Sequence, residues 1–257
     1  MSNKKLHIPN ELSAALRDAQ HVVVFTGAGV SAESGVSTFR DALTGLWERF
    51  DPMRLATPEA FLADPALVWG WYEWRRQLLL QAQPNPAHHA IVQLAQRVAK
   101  VTVITQNVDD LHERAGSQPV LHLHGSIFSP RCFTCAQPYS FTSPPNMQDE
   151  QAIQPPECSA CQGMIRPGVV WFGEDLPHKA LEAAFDVAGA CDVLLSVGTS
   201  GIVQPAAQIP AIASRAGVCV AHINPEPVNC RYPREFSLTG PAGQILPLLL
   251  SDSRLGV

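Results

Sequence analysis

The chain has no surplus of positive charge. Its 257 residues carry 18 Lys and Arg against 23 Asp and Glu, a formal net charge of −5. Nothing in that balance suits a nucleic-acid backbone or an acidic membrane surface. Long apolar runs are missing as well: no uninterrupted stretch is long enough to span a bilayer, and Met1-Ser-Asn-Lys-Lys lacks the apolar core of a targeting segment. There is no internal repeat, no low-complexity tail and no heptad, so a monomer is the default. Only short segments flank the patterned region, and no regulatory tail is expected. The composition, 46% apolar and 16% charged, is that of a globular protein with a real core, at a length that fits one large domain and a small module.

The cysteines are few but grouped. Of seven, four form two pairs, Cys132-Phe-Thr-Cys135 and Cys158-Ser-Ala-Cys161, with 22 residues between the pairs. Each C-x2-C places two thiolates on one turn, and two such turns make a closed four-thiolate zinc site. A closed site has no open position for a substrate, so the metal is structural and the chemistry lies elsewhere. Free thiols at Cys191, Cys219 and Cys230, beside a thiolate metal site, indicate a reducing cytoplasm.

Apolar runs at His21–Phe25, Lys100–Ile104, Val120–His124, Asp192–Val197 and Val218–Ile223 read as buried parallel strands. Helical patterns cover Glu11–Ala19, Ala87–Val98, His178–Ala188 and Pro205–Ala216. This alternation predicts an α/β fold, a Rossmann-like doubly wound parallel sheet. Two insertions interrupt it, giving three parts. The nucleotide-binding part comprises 1–40, 87–128 and 165–257; a helical insertion, 41–86, contains the helix Ala66–Gln81; a zinc-binding module occupies 129–164.

After the first strand, Gly27-Ala-Gly29-Val-Ser31-Ala32 fits a phosphate-binding turn that opens a helix. A dehydrogenase would place an acidic residue at the end of a second strand about 20 residues on. Here Ser37-Thr-Phe39-Arg40-Asp41 reads as loop, which disfavours hydride transfer.

In this order the motifs resemble the sirtuins, the NAD-dependent protein lysine deacylases. The resemblance runs from about Val22 to Glu226 and adds Thr105-Gln106-Asn107-Val-Asp109, Leu123-His124-Gly125-Ser126, Arg166-Pro167 through Gly173-Glu174, Gly198-Thr199-Ser200 and Ile223-Asn224-Pro225-Glu226. It implies that Gly27, Ala28, Gly29 and Ser31 hold the pyrophosphate and that Phe39 and Arg40 sit over the nicotinamide end. By the same resemblance Gln106, Asn107 and Asp109 line the nicotinamide and ribose pocket. Gly198, Thr199, Ser200 and Asn224, with Pro225 and Glu226 beside it, serve the phosphate and adenosine ribose. Val169, Val170, Phe172 and Gly173 pair main chain to main chain with an extended acyl-lysine peptide or protein.

The implied chemistry consumes NAD. The acyl-lysine carbonyl oxygen attacks C1′ of the nicotinamide ribose, nicotinamide leaves, and a base takes a proton from a ribose hydroxyl. Histidine suits that step. His124, preceding Gly125, matches the family base, and His122 is a supporting or packing residue. On the helix of the first insertion, Tyr72 and Arg75 stand three apart on one face. They resemble the Tyr-x-x-Arg pair of the desuccinylase and demalonylase branch, where a guanidinium fork and a phenol hydroxyl meet a carboxylate. Arg76 is expected to point away into solvent. The rival readings are NAD hydrolysis or mono-ADP-ribosyl transfer by the same pocket, and a non-catalytic NAD- or zinc-dependent binding module.

Overall fold

A computed structural model describes residues 7–36, 51–141 and 152–251. Phe39 and Arg40 lie outside the described residues.

Among the described residues the main sheet has six parallel strands in the order β3-β2-β1-β6-β7-β8. These are β1 (His21–Thr26), β2 (Lys100–Thr105), β3 (Val120–His122), β6 (Val193–Val197), β7 (Cys219–Asn224) and β8 (Glu235–Thr239). Side chains alternate across each strand, so β1 splits its apolar residues between two cores. Val22 and Val24 pack with α1 (Asn10–Asp18), α5 (Pro86–Ala95) and α9 (Ala242–Leu250). Val23 and Phe25 pack with α7 (His178–Ala190) and α8 (Ile209–Arg215) on the other face. Both faces being covered is why these strands read as continuous apolar runs.

Three helices of the first insertion are described, α2 (Pro52–Leu55), α3 (Pro58–Ala63) and α4 (Pro65–Gln81), and a short α6 (Leu111–Ala115) follows β2. Asp64 caps α4, its carboxylate accepting from Leu67 N at 3.0 Å, and Pro65 follows at the first helical position. A separate antiparallel pair, β4 (Arg131–Cys132) and β5 (Ile165–Arg166), carries the cysteines. No helix among the described residues is long and apolar enough to cross a membrane.

Three expectations need correction. The phosphate turn does not open an α-helix: two short 3-10 turns follow, Ala28–Val30 and Ala32–Ser34, closed by Gly35 at φ +78°. Asn85 holds that arrangement from outside, its side-chain amide donating to Val30 O at 2.8 Å and Ser34 Oγ at 3.0 Å. The third strand stops at His122. Arg76 is buried rather than solvated, at 4% exposure. It pairs with Glu73 at 2.6 Å, and its guanidinium lies 3.5 Å from the Phe141 ring centroid. Phe141 and Ile153, from beyond the insertion, pack on α4 there, which a helix read alone does not reveal.

Candidate functional site

The two halves of the sheet diverge between β1 and β6, and the loops at the carboxyl ends of these strands meet there, the position at which such sheets bind ligands. Gly27 N donates to Val197 O and Gly29 N to Gly198 O, each at 3.0 Å. A Cβ on Gly29 would stand 2.7 Å from Gly198 Cα; one on Gly198, whose φ is +62°, would stand 2.4 Å from Val30 N. Only glycine lets the two loops touch, which leaves bare backbone at the floor of a cleft of about 660 Å³.

All the NAD and substrate residues expected from the sequence and lying among the described residues line this one cleft. Gly27, Ala28, Gly29 and Ser31 come from the β1 loop, and Gln106, Asn107 and Asp109 from the β2 loop. Gly198, Thr199 and Ser200 follow β6; Asn224, Pro225 and Glu226 end β7. Tyr72 and Arg75 reach in from α4, and His124, Val169, Val170, Phe172 and Gly173 close the side. The volume and the close backbone approach suit a dinucleotide, and Asn224 offers a neutral amide where dehydrogenases present an acid to the ribose.

At one corner the polar groups are locked together. Asn107 Nδ2 donates to Ser31 Oγ at 3.0 Å, and Ser31 Oγ donates to Asp109 Oδ2 at 3.0 Å. The Ser31 hydroxyl hydrogen is therefore committed within this corner. Burial pushes Asp109 up, opposed by the Leu111 amide and the Ser31 hydroxyl.

The two histidines separate by their partners. His124 Nδ1 lies 2.9 Å from Gln106 O. A carbonyl only accepts, so Nδ1 carries the hydrogen and the Nε2 lone pair is left as the basic site. Burial lowers the His124 pKa below its ordinary 6.5, partly opposed by the Gln106 bond, so the ring is neutral and ready to take a proton. His122 contacts two acceptors, Asn107 O at 3.1 Å and Glu113 Oε1 at 2.7 Å. Both its nitrogens donate. Burial opposes the charge, but Glu113 and Asn107 raise the pKa overall. Through these two bonds His122 braces the loop carrying Asn107.

Behind this corner lies a second pair that sequence reasoning left unassigned. Thr26 Oγ1 donates to Thr105 Oγ1 at 2.8 Å, so it accepts from His112 Nε2 at 2.9 Å. His88 Nδ1 accepts from Asn85 N at 3.2 Å. The rings are 4.9 Å apart, and His112 Nδ1 and His88 Nε2 have no hydrogen-bond partner among the described residues. Burial holds His112 down at about 3 and His88 at about 4. The unfolded chain binds protons that the fold refuses, so this stability is complete above about pH 6.5 and is lost as pH falls toward 4 and then 3. His122, with its raised pKa, works in the opposite sense. Between pH 7.5 and 5.0 the net loss should be roughly 2–4 kcal/mol, or about 5–15 °C in melting temperature. His112→Gln, whose amide replaces the Nε2 donor, should flatten that slope in a calorimetric series. A slope unchanged by the substitution would count against this origin.

The four cysteine sulfurs lie within 4.8 Å of one another. Cys132 and Cys161 are 3.5 Å apart and Cys135 and Cys158 3.7 Å, close to the ~3.8 Å edge of a tetrahedron with ~2.3 Å zinc–sulfur bonds. The two turns repeat one geometry. Ala136 (φ +58°) and Gln162 (φ +62°) follow the second cysteine of each pair. Their amides donate back to Cys132 O at 3.1 Å and Cys158 O at 2.9 Å. The residues fit one structural zinc ion, with no position left over for a substrate.

Comparison with known proteins agrees with this geometry. A model of the Sir2 family matches residues 27–205. "NAD-dependent protein deacylase 1" of Pseudomonas aeruginosa is 62% identical over 237 residues, covering 91% of this chain and 95% of that protein. A Sir2 homolog solved in complex with NAD is 43% identical, with a TM-score of 0.87 over 97% of this chain and 95% of that one. A more distant Sir2 mutant, solved with a p53 peptide and NAD, is 26% identical, with a TM-score of 0.79 over 96% of this chain and 99% of that one. The chain belongs to the Sir2 family.

Proposed function

We propose that the protein is an NAD-dependent protein-lysine deacylase that removes succinyl and malonyl groups, and acetyl groups beside them, with His124 as general base. The observation that carries this reading is the single cleft in which a glycine-floored dinucleotide cradle, a neutral histidine with a bare Nε2 and the Tyr72/Arg75 pair converge.

NAD, as co-substrate, supplies the electrophilic ribose carbon and the leaving nicotinamide. The remaining work falls to the chain. Asn107, Ser31 and Asp109 form a rigid wall for the nicotinamide end. His124 Nε2 takes a proton from a ribose hydroxyl, and the Gln106 carbonyl steadies the imidazolium that results. The Gly125↔Val169 bridge, with Val170 N donating to His124 O at 2.8 Å, ties the base to the segment proposed to hold the peptide. The amides of Val170, Trp171 and Phe172 donate to His124 O, Glu174 Oε2 and Ala56 O. That segment would therefore meet a peptide through its carbonyl oxygens, not through those three amides.

Arg75 and Tyr72 support the acidic-acyl reading. Burial favours loss of charge at Arg75, opposed by Tyr72 and by Asp109, and an acyl carboxylate would supply the counter-charge. Replacing Tyr72 by Phe together with Arg75 by Met should lower the ratio of desuccinylation to deacetylation by roughly a hundredfold, since hydrogen bonds to charged groups contribute ~1.5–3 kcal/mol each. Matched peptides assayed by mass spectrometry give that ratio; an equal loss of both activities would mean only that α4 had been damaged.

A further inference from the structure

The hydroxyl of Tyr72 is not left to rotate. Trp171 Nε1 lies 3.1 Å from it. An indole N–H can only donate, so the phenol oxygen is the acceptor. A phenol O–H lies near its ring plane, with two positions. With the indole N–H directed at the oxygen, the phenol's own hydrogen must turn away from the indole. Tyr72 is 2% exposed, and burial pushes its pKa up to about 12, with Arg75 opposing. The group stays a neutral O–H, hence a donor.

Trp171 is itself held from several directions. Its amide donates to Glu174 Oε2 at 2.8 Å, and the Arg166 guanidinium lies 3.5 Å from its ring centroid. Arg166 forks onto both oxygens of Glu174 and also donates to Val169 O at 3.0 Å. Phe61 packs on the indole with centroids 5.3 Å apart. The indole N–H is thus fixed in direction before any substrate arrives. Arg166 belongs to β5, whose partner in register opposite Ile165 is Cys132, so the arch rests on the cysteine-bearing hairpin.

We propose that Trp171 is a positioning residue for acyl selectivity: by donating to the Tyr72 oxygen it directs the Tyr72 hydrogen toward the acyl terminus, and so favours acyl groups that end in a carboxylate. This rests on the reading that Tyr72 and Arg75 face that terminus. Pre-orientation matters because a donor already aimed does not lose rotational freedom when it binds.

The test is a double-mutant cycle on the full chain, with succinyl-, butyryl- and acetyl-lysine versions of one peptide and NAD. Trp171→Phe removes the N–H and keeps a ring beneath Arg166. It should lower the succinyl-to-acetyl ratio of kcat/KM about five- to tenfold, the scale of one lost hydrogen bond, and leave the butyryl-to-acetyl ratio where it was. In the Tyr72→Phe background the same change should have no further effect on the succinyl ratio. Melting temperatures give an independent readout. Tyr72→Phe strands the buried indole N–H, so Trp171→Phe should lower the melting temperature less in the Tyr72→Phe background than in wild type. If succinyl and butyryl ratios fall together, Trp171 only shapes the cleft and the proposal is overturned. If Tyr72→Phe lowers the succinyl ratio and Trp171→Phe does not, this inference alone falls. If Tyr72→Phe leaves the ratio untouched, the acyl-recognition reading falls and takes this inference with it.

Discussion

His124→Tyr should leave a folded protein that turns over acyl-lysine more slowly by a factor on the order of 100 to 10,000, the usual contribution of a positioned acid or base. A phenol at neutral pH has no lone pair basic enough to take a ribose hydroxyl proton. The fold should survive because His124 is only half-buried, and its Gln106 bond contributes about 1 kcal/mol. His124→Asn is the sharper variant, since its amide keeps the donor to Gln106 and removes only the base. In the proposed sequence the base acts after nicotinamide has left. Exchange of labelled nicotinamide into NAD, with acyl peptide present, should therefore persist in both variants while acyl release stops. The wild-type kcat/KM should have its acid limb below pH 6.5, because burial lowers the His124 pKa. Turnover by His124→Asn within a few-fold of wild type would move the base elsewhere.

Cys135→Ala should remove the metal and unfold the cysteine-bearing hairpin while the main sheet stays intact. The buried apolar cluster there is small: Trp69, Cys132, Cys158 and Ile165, with Tyr139, Phe141 and Ile153 packed against it. Two of those four buried residues are themselves ligands, so the metal stands in for a core that is not there. Zinc in isolated small modules contributes about 10–16 kcal/mol, and that binding energy is folding energy. The large cluster on the α1, α5 and α9 face of the sheet contains none of the described residues of 129–164, so its cooperativity should not depend on the metal. Activity should still fall, because Arg166 leaves β5 to hold Trp171, Val169 and Glu174. Metal analysis should give one zinc per chain for wild type and none for the variant. Hydrogen exchange should lose protection at β4 and β5 but not at β1. A zinc-free variant with full protection and activity would show that the four cysteines are not a structural centre.

The parts legible in the sequence were those with a local signature. β1, β2, β6 and β7 announced themselves as apolar runs because both faces are covered, and the zinc turns by spacing alone. β8 was missed because an edge strand carries a weaker pattern. Its Glu235 is spent on a pair with His222 at 2.9 Å and on the amides of Arg231 and Tyr232. α9 was missed because Pro247 sits inside it and no side chain caps its start. Trp171 and Arg166 lay in a quoted motif, yet their work depends on partners 99 and 8 residues away, which no periodicity encodes. Arg76 shows the reverse: the Glu73 spacing that pairs it was visible, but the Phe141 ring that buries it comes from another segment.

The central claim is that this cleft spends NAD to take an acyl group from lysine. A mass-spectrometric time course tests it most directly, with matched acetyl-lysine and succinyl-lysine peptides incubated with the protein, each with and without NAD. The expected result is NAD-dependent loss of succinyl, with nicotinamide and O-succinyl-ADP-ribose appearing in equal amounts. Both peptides remaining acylated while NAD is converted to free ADP-ribose would contradict it.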